Sequence, residues 1–225
     1  QVLIIVMSLI RKKARLSIRG EKMKAKIILI VLIIAGVGMF LYQQSLSYPP
    51  AVGIVGKAKN CLVCHANNGP WQDEENTIID ILDKKTKKSL MQADGSFLIE
   101  VQRGKIRTVI TVIGRKKGDK TEAPYRNAWL YVDPQRIKSN SLSKFAPGWS
   151  VNLPMSCRIV GDKLEGFKEA KITSLPMSIS PEDDAQDTEL QLQVMLTKGE
   201  SVKGKAKQGM IGNYFERVVR LKVLE

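Results

Sequence analysis

The sequence predicts a mainly β protein with an apolar helix near its start, a short helical segment around residue 60, and an antiparallel sandwich or barrel-like domain over residues 76–225. Three observations carry that prediction. Short runs of period-two alternation, divided by Gly, Pro, Asp and Lys, fill the last two-thirds of the chain, and such alternation marks half-buried strands. A basic leader is followed by sixteen uncharged residues, Ile27 to Tyr42. Between these regions stands Cys61-Leu62-Val63-Cys64-His65, which contains the only histidine and two of the three cysteines in 225 residues.

The leader, residues 1–26, holds eight basic residues against one acid, Glu21. Positive charge before an apolar run places the N-terminus in the cytoplasm and the remainder across the membrane. Sixteen helical residues reach about 24 Å, short of a hydrocarbon core of about 30 Å. Gln43 to Leu46 add a turn, and Lys24 and Lys26 can snorkel, so residues 27–46 are expected to form a single-pass signal-anchor. Cleavage near Ser47, where Ser45 and Ser47 give small residues before Tyr48, is the alternative, and it would release a soluble periplasmic domain. Both routes export residues 48–225. The chain begins with Gln, whereas Met23-Lys24-Ala25-Lys26 before the apolar run reads as a natural translation start.

Residues 47–75 read as a linker and an attachment segment. Tyr48-Pro49-Pro50 leads away from the membrane, and residues 53–66 are expected to form a short helix that Asn67-Asn68-Gly69-Pro70 stops. C-x-x-C-H is the attachment signal of a c-type haem. Two thiols on one turn can each add to a vinyl group of one porphyrin, and the adjacent imidazole then binds the iron. A thioredoxin-like redox pair would need a βαβ setting. A structural zinc site needs about four ligands, and Cys157 alone remains, 92 positions beyond His65.

The β pattern begins after Trp71. Thr77–Leu82 is a candidate strand, Ala93–Ser96 a turn, and Phe97–Gln102 with Ile106–Ile113 a hairpin pair around Arg103-Gly104-Lys105. Ala128–Val132 alternates and ends at Asp133-Pro134. Cys157–Val160 and Ala170–Thr173 read as a hairpin around Gly161-Asp162. Glu189–Leu196 and Phe215–Val223 complete the set, giving eight or nine strands in a domain long enough for its own core. Cys157 is expected to pack as a small hydrophobe. The acidic run Glu182, Asp183, Asp184 and Asp187 lacks EF-hand spacing and reads as a solvated loop.

Through Cys61, Cys64 and His65 the chain resembles c-type cytochromes, and the resemblance covers only this motif and its surroundings. It implies one covalent haem c, held by thioethers at Cys61 and Cys64 with His65 as proximal iron ligand. In class I cytochromes c a Gly-Pro carbonyl receives the histidine Nδ1–H. Gly69-Pro70 resembles that feature, closer to the histidine than usual, which makes Pro70 the expected partner of His65; a ligating imidazole needs its second nitrogen held. Without a second histidine, Met is the next distal ligand, and Met/His ligation raises the potential. Met91, Met155, Met177, Met195 and Met210 lie in the exported part. Met195 sits within a strand pattern and is expected in the core. Met155 and Met177 both occur in Leu-Pro-Met-Ser, read as irregular loops. Met155 is the expected distal ligand, with Phe145, Pro147 and Trp149 as nearby cover, and Met177 is the alternative. The β pattern departs from the helical wrapping of class I cytochromes c.

Net charge is +14, half of it in the leader. An exported chain rarely meets nucleic acid, and its aromatics are not interleaved with basic residues, so the remaining basic surface suits acidic redox partners. No G-x-S-x-G or H-E-x-x-H motif occurs, and no small-molecule substrate is indicated. The sequence thus predicts a membrane-tethered monohaem electron carrier serving respiratory partners. Its alternative is a structural or assembly subunit of a larger redox complex with the haem as relay. A five-coordinate haem sensor or peroxidase stands third. Translation from Met23 predicts that N-terminal peptides of the native protein contain nothing upstream of it; a peptide spanning Arg15 to Arg19 would refute that start.

Overall fold

A computed structural model describes residues 60–63, 65–116, 118, 120–138, 144–198 and 211–225. The leader and the apolar run, including the proposed anchor, lie outside the described residues. So do Cys64 and Met210. No helix among the described residues is long and apolar enough to cross a membrane.

The described chain is mainly β, as expected, with two sheets sharing one core. Its strands are β1 (Ala66–Asn67), β2 (Thr77–Asp83), β3 (Phe97–Gln102), β4 (Arg107–Lys116), β5 (Arg126–Val132), β6 (Trp149–Val151), β7 (Met155–Ile159), β8 (Ala170–Pro181), β9 (Thr188–Thr197) and β10 (Ile211–Leu224). The only helical pieces described are single 3-10 turns. One sheet follows the order β2-β4-β8-β6 and is antiparallel throughout. The other follows β1-β10-β9-β5-β7, with β3 also paired to β10.

The alternation in the sequence becomes the core directly. Leu190, Leu192, Val194 and Leu196 of β9 and Phe215, Val219 and Leu221 of β10 face inward from the larger sheet. They meet Ile79 and Ile81 of β2, Val109 and Ile113 of β4, and Met177 and Ile179 of β8. Tyr131 and Thr111 join their hydroxyls at 2.7 Å within this layer. Burial pushes the Tyr131 phenol well above its ordinary pKa. β4 reads as a continuous apolar run because both its faces are covered. Its outward residues Ile110 and Val112 form a second cluster with Leu82 and Ile172, beneath Leu164 and Phe167.

Three expectations are corrected. Phe97–Gln102 and Ile106–Ile113 are not a hairpin: β3 joins the larger sheet and β4 the smaller one. Cys157–Val160 and Ala170–Thr173 likewise part company, β7 pairing with β5 and β8 with β4. A turn between two alternating runs has the same composition whether the chain folds back in one sheet or crosses between two. The larger sheet is also not purely antiparallel, because β1 and β3 both run parallel to β10.

Arg115 anchors the entry to β2. Its guanidinium is 1% exposed and donates to Asp73 Oδ1 at 2.6 Å, to Thr77 Oγ1 at 2.6 Å and to the Asp73 carbonyl at 2.9 Å. Burial acts to raise the Asp73 carboxyl, but hydrogen bonds from Arg115 and Asn76 outweigh it and hold the pKa below its ordinary value. Asp73→Ala should therefore cost about 3 kcal/mol in urea unfolding, because it strips the carboxylate from a buried guanidinium; a loss below about 1 kcal/mol, the scale of an exposed pair, would contradict this role. Asp94 accepts from the Ser96 hydroxyl, the Ser96 amide and Arg220, which lower its pKa to about 2. A depressed carboxylate stabilises above its unfolded value and loses that contribution as pH falls through its folded value. Asp94→Asn should flatten the stability profile between pH 3.8 and about 2, read as a smaller fall in thermal midpoint across that window.

Candidate functional site

Asn60 opens the motif by accepting the Leu62 amide on its Oδ1 at 3.1 Å, the usual side-chain device for starting a turn. Cys61–Val63 then forms one 3-10 turn. The His65 amide donates back to the Cys61 carbonyl at 3.0 Å, so the two ends of the motif lie on a single turn. The expected helix does not continue to residue 66. Ala66 and Asn67 are already extended and pair with Ile211 and Gly212 at the start of β10.

Everything after His65 is fastened to that strand. Asn67 Oδ1 accepts the Tyr214 amide at 3.0 Å, and the Gly69 amide donates to the Gly212 carbonyl at 2.8 Å. Asn213 Oδ1 accepts the Trp71 amide at 2.7 Å. The Trp71 indole is 1% exposed and donates to the Glu122 carbonyl at 2.7 Å. A β-carbon at Gly69 would lie 2.5 Å from Asn213 Oδ1 and 2.8 Å from the Gly212 carbonyl carbon, so only glycine permits this approach. Pro70 stands exposed on the turn that Gly69 anchors.

The motif turn packs beside β9, a strand whose odd-numbered residues, Met195 among them, lie on the face turned away from the core. Register identifies a row across that face: Tyr214 on β10 opposes Met195 on β9, which opposes Ala128 on β5, which opposes Cys157 on β7. Burial raises the Tyr214 phenol pKa; its hydrogen bond to Glu216 raises it further, and Cys61 is near enough to add electrostatically. Met195 is fully buried, but its parity is opposite to that of Leu192, Val194 and Leu196, and it belongs to neither core cluster. Its burial within a strand is as expected, and its parity places it on the outer face. Its Cε would lie 2.6 Å from a β-carbon at Gly212.

The other methionines sit elsewhere. Met155 and Met177, expected in irregular loops, both lie in strands. Met155 begins β7, half-buried opposite Leu130. Met177 pairs with Val109 on β8 and is 1% exposed between the two sheets. Pro176 is tolerated there because Ser178, two positions on, faces β6, and β6 pairs only from Ile179 onward. The missing N–H of Pro176 therefore points past the end of its neighbour. Met91 is exposed and bridges to Phe97, which pairs with Val219. Eight residues of strand, roughly 26 Å, separate that position from Ile211. Cys157 is a free, half-buried thiol whose pKa burial raises.

The arrangement fits a group attached at Cys61 and ligated by His65. Both are half-buried on one turn, with Leu62, Ala66, Asn67 and Asn68 exposed around them. Among the described residues no three His, Cys, Asp or Glu are grouped to hold a bare metal ion, and Glu182, Asp183, Asp184 and Asp187 form the exposed loop expected of them. Sequence reasoning overlooked Asn67, Gly69, Asn213 and Gly212 as the clamp on the motif. Asn and Gly at the start of a strand pattern are their only trace, and it gives no hint of the partner.

No known protein family matches the chain, and no curated protein does. Among solved structures it is similar to a cohesin module from a Clostridium perfringens family 33 glycoside hydrolase, at 15% identity and a TM-score of 0.33, over 66% of this chain and 97% of that one. It is also similar to an ASH/PapD-like domain of human CEP192, at 9% identity and a TM-score of 0.31, over 71% of this chain and 94% of that one.

Proposed function

We propose that the protein is an exported, membrane-tethered monohaem c-type cytochrome that passes single electrons between respiratory partners. The observation that carries this reading is the motif Cys61-x-x-Cys64-His65, holding the sole histidine of the chain, with Cys61 and His65 closed on one turn by a 3.0 Å hydrogen bond. A covalently bound haem would supply reversible one-electron chemistry, tuned by axial ligands, burial and hydrogen bonds. The chain's part is to hold it. Cys61 and Cys64 would form the thioethers and His65 the proximal bond, while Asn67, Gly69 and Trp71 fix the segment to β10. The basic leader and residues 27–46 would act as cytoplasmic flank and anchor, with the β domain outside the membrane.

A second reading is a subunit of a larger redox complex in which the haem serves as relay. It is favoured by a sandwich that completes a core of its own, from Trp71 to Leu221, far larger than one haem attachment turn requires. Co-purification with larger subunits separates it from a free carrier, which would instead exchange electrons with soluble partners as a monomer.

Intact mass and the reduced visible spectrum of the protein from its own host test the shared premise. One haem in excess of the polypeptide mass is expected. Cys61→Ser should leave a single thioether and shift the reduced absorption maximum, and His65→Ala should abolish low-spin absorbance. A wild-type mass equal to the polypeptide alone, with no Soret absorbance, would remove the cytochrome reading.

A further inference from the structure

The strongest lead outside the motif is the free edge of the larger sheet. β7 is the last strand of that sheet and pairs only with β5. The two ends of the pairing fix its hydrogen bonds: the Tyr131 amide donates to the Pro154 carbonyl, and the Val160 amide to the Tyr125 carbonyl. Antiparallel bonding alternates, so Ser156 and Arg158 bond to β5, while the N–H and C=O groups of Met155, Cys157 and Ile159 point away from it. No described backbone group meets them there. The free run has fixed limits, since the Asn152 amide donates to Ser178 and the Gly161 amide to Ile172, both on β8. Other terminal strands are guarded: β6 spans three residues, and the Leu90 amide donates to the Ile81 carbonyl on the edge of β2.

The side chains follow the same parity. Directly opposed residues share a face. Trp129 and Tyr131 of β5 face the core, so Leu130, Ala128 and Arg126 place their partners Met155, Cys157 and Ile159 on the outer face. Ile159 is 51% exposed, and Met155 and Cys157 are half-buried. The one charge on the strand, Arg158, has the opposite parity and is held by Asp162 at 3.4 Å. Charged residues or proline ordinarily guard such an edge, and neither stands on the outer face of this one.

We propose that β7 pairs antiparallel with β7 of a second copy of this chain, about a two-fold axis at Cys157. One register satisfies all three outward residues: Met155 opposite the partner's Ile159, Cys157 opposite the partner's Cys157, and Ile159 opposite the partner's Met155. Such a contact is self-complementary, as a two-fold interface requires. Met155 and Ile159 then meet as apolar cross-strand pairs, and Arg158 meets Ser156, so no like charges oppose. The two Cys157 Cα atoms would stand about 5.5 Å apart, inside the disulfide range of about 4.4–6.8 Å. Five residues a side, roughly 17 Å of strand, make a small interface, so the dimer is a dissociable one. The pairing needs no haem and stands apart from the cytochrome reading.

The test treats the full chain, produced in its own host, with diamide before purification. Each Cys157 thiol gives up its proton, and the two electrons of the new S–S bond pass to diamide, which becomes the hydrazine. Non-reducing electrophoresis and peptide mass mapping should find a dimer joined Cys157 to Cys157. In a Cys157→Ser background, Met155→Cys combined with Ile159→Cys should join position 155 of one copy to position 159 of the other, in preference to like positions. Ile159→Pro removes an outward N–H and no bond to β5, so it should cut the yield of Cys157-linked dimer several-fold while far-ultraviolet circular dichroism of the β domain is unchanged. If that variant does not fold, the pattern of the two introduced cysteines decides. Cys157 that links to no copy of itself, or to a different polypeptide instead, overturns the proposal. So do like positions joined as readily as 155 to 159, or a dimer yield that a folded Ile159→Pro leaves intact.

Discussion

The carboxamide of Asn213 is the contact on which the functional end of the molecule depends. Its Oδ1 accepts the Trp71 amide from 142 positions earlier in the chain, and the indole so placed drops into the core between the sheets. A 3-10 turn of three residues has no stability of its own, since a first helical turn fixes several dihedrals for one hydrogen bond. The turn at Cys61 holds its place because Asn67, Gly69 and Trp71 each bond to consecutive residues of β10. The buried indole then makes release of that segment costly, since a fully buried aromatic contributes about 1.5–3 kcal/mol.

β10 serves two roles along its length. One edge pairs with β9 from Gly212 to Leu221. The other is shared, with β1 at its beginning and β3 at its end, both parallel to it. A fourteen-residue strand paired on one side only would present a long open edge, which proteins commonly cover. The motif segment covers part of that edge, so it is part of the sandwich and not an appendage of it. If a redox group is carried there, it would rest on a rigid strand, as a site that must hold its geometry requires.

Strands β2, β5, β9 and β10 were legible because each alternates with one face on the core, and period two survives whatever the neighbours are. Pairing was not legible. β3 and β4 are joined by Arg103-Gly104-Lys105, and Gly104 takes a positive φ of 71°; the same turn chemistry serves a hairpin and a corner between sheets. The placement of Met177 was hidden for a related reason. Leu-Pro-Met reads as a break until one knows that β6 ends before Pro176. Met195 shows the limit from the other side. It shares the parity of Gln191 and Gln193, which the alternation alone sets outward, and no local pattern records what buries a residue on that face.

By itself the sequence determined the chemistry on offer: one histidine, two thiols in a fixed register before it, and an alternating apolar pattern sufficient for a β core. These are properties of neighbours along the chain, where spacing alone sets which groups share a turn or a face. The tertiary structure alone decided that β10 receives the motif, that Gly69 must lack a side chain for that approach and Gly212 for the approach of β9, and that Met195 is buried on the face of β9 opposite to Leu192, Val194 and Leu196. The hold on the motif rests on contacts between residues more than a hundred positions apart, where a single carbonyl, carboxamide or missing β-carbon determines the fit and no local pattern records it.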